Sequence, residues 1–316
     1  MNSFILNSRK FNSVTLNNEK GYVSKTSSNP DILIDEINWY RSIPESIKKY
    51  TPQLLNFSTK KSAPYLNTSY LPFPTLSYYL LNQPEDDLLW ERIFSQIENL
   101  FNDFARFLGN LSHEDIRRMY ITKTETRVEL FLDQNHLARK MYSKKFYTLN
   151  GKVRKNPFVT FEENKGVIEK IINKAKIRLI HGDLCFSNIF FDIATDQLYI
   201  VDPRGDFGKK GIFGDVRYDL AKIRHSLSGY ERIINNEFSI QCSEGEINYL
   251  LLKEKEERKL QYYWDIFTGN SIAEVKLIEA LLYLSMLPLH YEDFSRQMIL
   301  YALGTELLDN ALEMGG

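Results

Sequence analysis

The spacing of apolar and polar positions changes several times along the chain. Val14-Thr15-Leu16 and Tyr22-Val23-Ser24-Lys25 flank the polar run Asn17-Asn18-Glu19-Lys20-Gly21, which predicts a β-hairpin. From Asp31 the period becomes helical: Leu33, Ile34, Ile37 and Tyr40 share one face, and Pro44 closes the segment. Residues 63–71 read as extended, with Pro72 and Pro74 marking a crossing point. Residues 88–108 then form a long amphipathic helix with Leu89, Ile93, Ile97, Leu100, Phe104 and Phe107 on one side.

Strand patterns interrupt the helical part. Residues 119–132 read as β-like and 177–180 as a short strand. Two apolar runs, 189–193 and 198–201, surround Ala194-Thr195-Asp196-Gln197 and predict a second hairpin. Helical periods return over 217–228, 246–266, 272–286 and 292–313, with no internal repeat or low-complexity tract. The pattern predicts an α+β, two-lobed chain: a small β-rich lobe over 1–71 and a larger, mainly helical lobe carrying the hairpin over 72–316. A ligand is expected in the cleft between such lobes.

Composition narrows the classes. Of 316 residues 43% are hydrophobic and 26% charged, the ordinary balance of a globular chain. The 40 basic and 41 acidic residues leave a net charge of −1, which argues against a nucleic-acid binder but permits a local anion site. Two cysteines, Cys185 and Cys242, make no disulfide framework and point to a reducing cytoplasm. The N-terminal Phe4-Ile5-Leu6 before Arg9 and Lys10 does not have the form of a signal peptide. No apolar run approaches the roughly 18 residues of a membrane span. Oligomeric state is left open.

The chemistry concentrates in Ile180-His181-Gly182-Asp183-Leu184-Cys185-Phe186-Ser187-Asn188-Ile189 and, one hairpin later, Ile200-Val201-Asp202-Pro203-Arg204-Gly205. Asp183 and Asn188 stand in a loop between strands, and the hairpin returns Asp202 toward them. Three convergent oxygen donors suit Mg²⁺, a hard cation that takes carboxylate, amide and phosphate oxygens. Phosphoryl transfer needs one carboxylate to receive the acceptor's proton and other oxygens to hold metal on the triphosphate. A turn with solvated acids is the ordinary competing account of the same residues.

The pattern His-Gly-Asp-x4-Asn, a hairpin and then Asp resembles the aminoglycoside phosphotransferase and choline kinase-like superfamily. Its members are relatives of protein kinases, whose signatures are His-Arg-Asp-x4-Asn and Asp-Phe-Gly. The wording also resembles bacterial members linked to surface-polysaccharide and choline-phosphate genes. The resemblance implies a protein-kinase-like fold and ATP- and Mg²⁺-dependent transfer of the γ-phosphate to a hydroxyl of a small molecule. The acceptor class would be a sugar, amino alcohol or related intermediate. It implies Asp183 as catalytic base, Asn188 and Asp202 as metal ligands, and His181 as a structural member of the loop. Asp219, in Gly214-Asp215-Val216-Arg217-Tyr218-Asp219, would brace that loop, although acids at a helix start also serve the dipole. Lys25 would neutralise α/β-phosphate charge and Glu36 fix its position, with Asp35 a rival for the pair and a solvated surface role the competing account. A literal Asp206-Phe207-Gly208 lies past the strand end, so Asp202 is the metal candidate.

One departure concerns the phosphate-covering turn. Asn7-Ser8-Arg9-Lys10-Phe11-Asn12-Ser13 contains no glycine, so Ser8, Asn12 and Ser13 would line it through backbone amides, with Arg9 or Lys10 adding charge. Adenine is expected against backbone near 69–71, below Val23. For the acceptor, Lys123, Thr124 and Arg127, with Arg204, Arg217, Arg224 and His225, form a candidate polar cluster; ordinary surface ion pairing explains them at least as well. Two other function classes stay open: a nucleotide-binding regulatory pseudokinase and, less favoured, a protein kinase. The latter lacks any peptide-docking or activation-segment signature after Asp202.

Overall fold

The computed structural model describes residues 3–6, 12–17 and 19–315. They fall into two compact units, one of Met1–Leu111 with Ile177–Gly214 and one of Ser112–Lys176 with Asp215–Gly316.

The first unit is built on a five-stranded antiparallel sheet in the order β1-β2-β3-β5-β4: β1 Ser3–Leu6, β2 Asn12–Asn17, β3 Tyr22–Ser27, β4 Leu54–Ser58 and β5 Tyr65–Ser69. The expected hairpin is β2–β3, with Val14 opposite Lys25 and Leu16 opposite Val23. Its turn uses Gly21 at φ +62°, and Asn17 Oδ1 accepts the Lys20 amide at 3.0 Å. Helix α1, Pro30–Ser42, starts with proline in its first turn, where no amide is needed, and ends before Pro44. Its inner face buries Leu33, Ile37, Trp39 and Tyr40, and also Asp35 and Glu36. Two acids on a buried helix face are expensive unless each finds a cation.

Helix α2, Leu76–Asn82, and α3, Asp87–Ala105, follow; α3 turns Leu89, Ile93, Ile97, Leu100 and Phe104 inward at helical spacing, starting from an Asp86 cap. The later hairpin pairs Ile189–Asp192 with Gln197–Ile200, and Ile189, Phe191, Leu198 and Ile200 are fully buried. Pro74 O accepts the Phe191 amide at 3.1 Å, tying the hairpin to the segment after β5.

The second unit combines helices with a four-stranded sheet of Phe238–Cys242, Glu246–Leu251, Phe146–Leu149 and Lys152–Lys155, in that order. Two sequence expectations are corrected here. Residues 119–132 are helical, a π turn over Arg118–Thr122 running into the helix Lys123–Gln134. The alternating Thr122, Thr124 and Thr126 imitate a strand, but Tyr120, Thr124, Val128 and Phe131 repeat at helical spacing and are buried, together with Met119 and Ile121 in the π turn. Residues 246–251 form a strand, with Ile247 buried between exposed Glu246 and Asn248; the helix begins only at Lys255, after a capping box of Glu254 and Glu257. The helices Ile272–Met286 and Phe294–Gly315 pack together, and the first also packs on Val216–His225.

Candidate active site

Lys25 lies mid-strand in β3, on the same face as Leu66 of β5, its direct cross-strand partner. Its Nζ sits 2.6 Å from Glu36 Oε2 and also pairs with Asp202 Oδ1. Burial alone would lower its pKa; the Glu36 charge and then that of Asp202 outweigh it and hold the ammonium above its ordinary value. Glu36 is pushed up to about 8, chiefly by burial, with Lys25 opposing and Asp202 assisting. One cation thus serves two carboxyl groups, of which the buried Glu36 is held toward its neutral form. Asp35, the rival for this pairing, instead meets Lys210 Nζ at 2.8 Å.

Asp202 ends the hairpin in the left-handed region at φ +61°, an uncommon conformation for a residue with a side chain. Its side chain stays 48% exposed, against 4% for Glu36. The backbone amide of Asp202 hydrogen-bonds the buried Tyr40 hydroxyl, so α1 carries partners for both Lys25 and Asp202.

The loop 181–188 is pinned by its own groups. His181 is fully buried; its Nε2 donates to Val201 O at 2.9 Å and Nδ1 accepts the Asp183 amide at 3.2 Å. That arrangement requires the neutral imidazole, and burial drives its pKa down to about 4 against the pull of Asp183 and Asp202. Asp183 O accepts the Cys185 amide and Asn188 Nδ2, both at 2.9 Å. Asn188 O receives the Val201 amide at 3.0 Å and His181 O the Arg204 amide at 2.9 Å. The segments 181–188 and 201–204 are therefore zipped together, bringing Asp183, Asn188 and Asp202 to one end of the hairpin. Gly182, at φ +83°, is required: a Cβ there would come within 2.9 Å of Arg204 Cβ.

Asn188 gives its amide N–H₂ to Asp183 O, which turns the amide oxygen to acceptor use; with the half-exposed Asp202 carboxylate it offers hard oxygen donors suited to Mg²⁺. Among the described residues no three His, Cys, Asp or Glu side chains group as a metal cluster, so any such ion would be completed by ligand oxygens.

The remaining sequence candidates are placed as follows. Ser8, with Asn7, Arg9, Lys10 and Phe11, lies outside the described residues; Asn12 and Ser13 stand in β2 opposite Ser27 and Thr26. The Ser69 and Tyr70 amides are taken by Gln53 O at 2.9 Å and Gly21 O at 3.0 Å. Asp219 is fully buried in the first turn of Val216–His225. Lys123 reaches the Tyr218 hydroxyl at 3.2 Å and lies over its ring. Thr124 is buried, its hydroxyl on Tyr120 O, and Arg127 lies in the same helix, Lys123–Gln134. Arg217 is also buried, its guanidinium gripping both Asp215 oxygens at 3.0 Å and donating to Ile171 O at 2.8 Å. Arg204, partly exposed, packs beside Gly182. Sequence reasoning missed Trp39, whose Nε1 donates to Ile180 O at 2.8 Å, Tyr40 and Lys210; the Trp39-Tyr40 pair beside Glu36 was the available signal.

No protein-family model and no curated protein matches the chain. Solved structures do. The chain is similar to aminoglycoside phosphotransferase APH(4)-Ia at 12% identity and a TM-score of 0.57, over 100% of this chain and 94% of that one. It matches equally a thermostable mutant of that protein in ternary complex with AMP-PNP and hygromycin B. A further mutant, with ADP and hygromycin B, matches at 11% identity and 0.56, over 98% and 93%. The fold is that of these kinase-like proteins, α+β with a β-rich N-terminal and a helical C-terminal region.

Proposed function

We propose that this protein is a small-molecule kinase that moves the γ-phosphate of ATP to a hydroxyl group. One observation carries the reading: Lys25 on a strand bridges Glu36 on the next helix and Asp202 at the end of the hairpin that follows His181-Gly182-Asp183. Lys25 would set its charge against the nucleotide phosphates, and Glu36 holds it in place. Asp183 is the base: as the acceptor oxygen bonds to the γ-phosphorus and the bond to the ADP oxygen breaks, its carboxylate takes the hydroxyl proton. Its backbone is fixed by His181 Nδ1, the Cys185 amide and Asn188, so the residue is held in place before the acceptor arrives. Asn188 and Asp202 would hold Mg²⁺, which supplies charge neutralisation on the triphosphate when bound.

The similar structures hold AMP-PNP or ADP together with an aminoglycoside, which supports a nucleotide and a hydroxyl-rich acceptor. We place the acceptor among sugars and amino alcohols, including building blocks of a surface polymer, and the protein in the cytoplasm, where ATP is found. No described helix is long and apolar enough to cross a membrane. A panel of such hydroxyl compounds with Mg-ATP, read as ADP release, tests the reading: acceptor-dependent ADP is expected. Failure of Mg-ATP to bind the protein would overturn it. Mg-ATP binding without turnover on any acceptor would favour the regulatory alternative.

A further inference from the structure

Consecutive turns of α1 touch separate parts of the site. Glu36 holds Lys25, Tyr40 meets the Asp202 backbone, and Trp39 holds Ile180 O. Asp35 instead reaches beyond these, to Lys210 in the segment that follows Asp202. That segment presses on the helix itself: Gly205, at φ +66°, lies so close that a Cβ would stand 2.1 Å from Asp35 O. Residues 205–211 form a closed loop, with Gly211 N on Gly205 O at 2.9 Å, Phe207 N on Lys209 O at 3.1 Å and Asp206 bridged to Lys210. Phe207, 1% exposed, anchors the loop. Asp35 is 7% exposed, and burial raises its pKa, Lys210 opposing while Asp206 and Asp31 add to the push. Asp31 has its own partner in Lys61 at 2.7 Å, which leaves Lys210 as the cation on Asp35.

We propose that Lys210 is a positioning residue: through Asp35 it clamps α1 to the segment after Asp202 and so keeps Glu36 in register with Lys25. The clamp rests on the nucleotide reading above for its purpose, and on its own geometry for its existence. Lys210 is 62% exposed along its side chain, so its replacement opens no cavity, and the cost falls on the buried Asp35 carboxylate that it leaves unpaired.

The test compares Lys210→Met and Lys210→Arg in the full chain by hydrogen exchange and by steady-state kinetics. In Lys210→Met the amides of residues 33–40 are expected to exchange about fivefold faster without nucleotide, while amides of 275–284 in the second unit keep wild-type exchange. The KM for Mg-ATP should rise about fivefold while the acceptor KM stays constant, and Lys210→Arg should restore both readouts. Unchanged exchange over 33–40 overturns the clamp and leaves the kinase reading standing. Faster exchange in a protein whose wild type binds no Mg-ATP overturns the kinase reading, and the positioning role with it. Loss in Lys210→Met and Lys210→Arg alike overturns the ion-pair basis of the proposal.

Discussion

Two charged clusters, one in each compact unit, differ in balance. In the second unit Arg224 binds Asp265 through Nε at 2.7 Å and Nη2 at 3.1 Å, and its Nη1 pairs with Glu279. Lys276 adds a second cation 3.4 Å from Asp265. Two positive groups thus face two negative ones, and the Arg224 and Glu279 side chains are 6% and 0% exposed. In the first unit one cation, Lys25, faces Glu36 and Asp202, and Asp202 is half open to solvent. A closed, neutral cluster has no use for a further ion. The open one sets a half-exposed carboxylate beside a single lysine and a buried acid pushed toward its neutral form, and its solvent-facing oxygens are the kind of donor a divalent cation takes. Polarity alone therefore does not mark a site, whereas oxygen donors left open to solvent beside a held cation do.

Breaking the closed cluster should have the largest effect, on stability alone. Arg224→Leu strands the fully buried Glu279, leaving Asp265 to Lys276, and is expected to cost about 3–5 kcal/mol, lowering Tm by roughly 10 °C or more. The folded fraction should bind Mg-ATP with wild-type affinity in calorimetry; a selective loss of nucleotide affinity would erase the contrast. Asp183→Asn has the opposite profile: turnover should fall about 100-fold, or about 2.7 kcal/mol, with Mg-ATP binding retained. A wild-type rate in that variant removes the base from the mechanism.

The His181 ring sharpens the comparison through pH. Its folded pKa of about 4 lies below the 6.5 of an unperturbed histidine, so the unfolded chain binds the proton first. Its contribution is full above pH 6.5 and declines as pH falls toward 4, reaching about 2 kcal/mol of lost stability by pH 5. Urea unfolding at pH 7 and pH 5 should show that difference between the wild type and His181→Gln; parallel losses in both would assign the acid sensitivity to other groups. The smallest effect is expected for Asp202→Asn, which keeps a residue tolerant of left-handed backbone but removes a charge. Mg²⁺-dependent nucleotide affinity should drop about tenfold, and metal-free affinity should change little.

Local patterns carried much of this architecture. The turns at Asn17–Gly21 and Ala194–Gln197 lie between short, largely apolar runs, so both hairpins were legible at close to their observed bounds. Helix α1 was legible from Leu33, Ile37 and Tyr40, and the Lys25–Glu36 contact follows once strand and helix pack. Residues 119–132 misled because β-branched threonines alternate there by chance, and burial against a helical neighbourhood outweighed local preference. The sheet of the second unit was missed because Glu246–Leu251 joins Phe146–Leu149 across about a hundred residues, a pairing with no local trace. Lys210 was invisible for the same reason, since its partner precedes it by 175 positions.

The backbone of Asp202 has a consequence for anyone improving this molecule. Glycine adopts that conformation freely, so Asp202→Gly should relieve up to about 1 kcal/mol while deleting the carboxylate that faces Lys25. Heat tolerance alone would register only that relief set against the lost Lys25 pair, and not the metal-facing oxygen that goes with it. At this one codon, robustness and turnover pull in opposite directions.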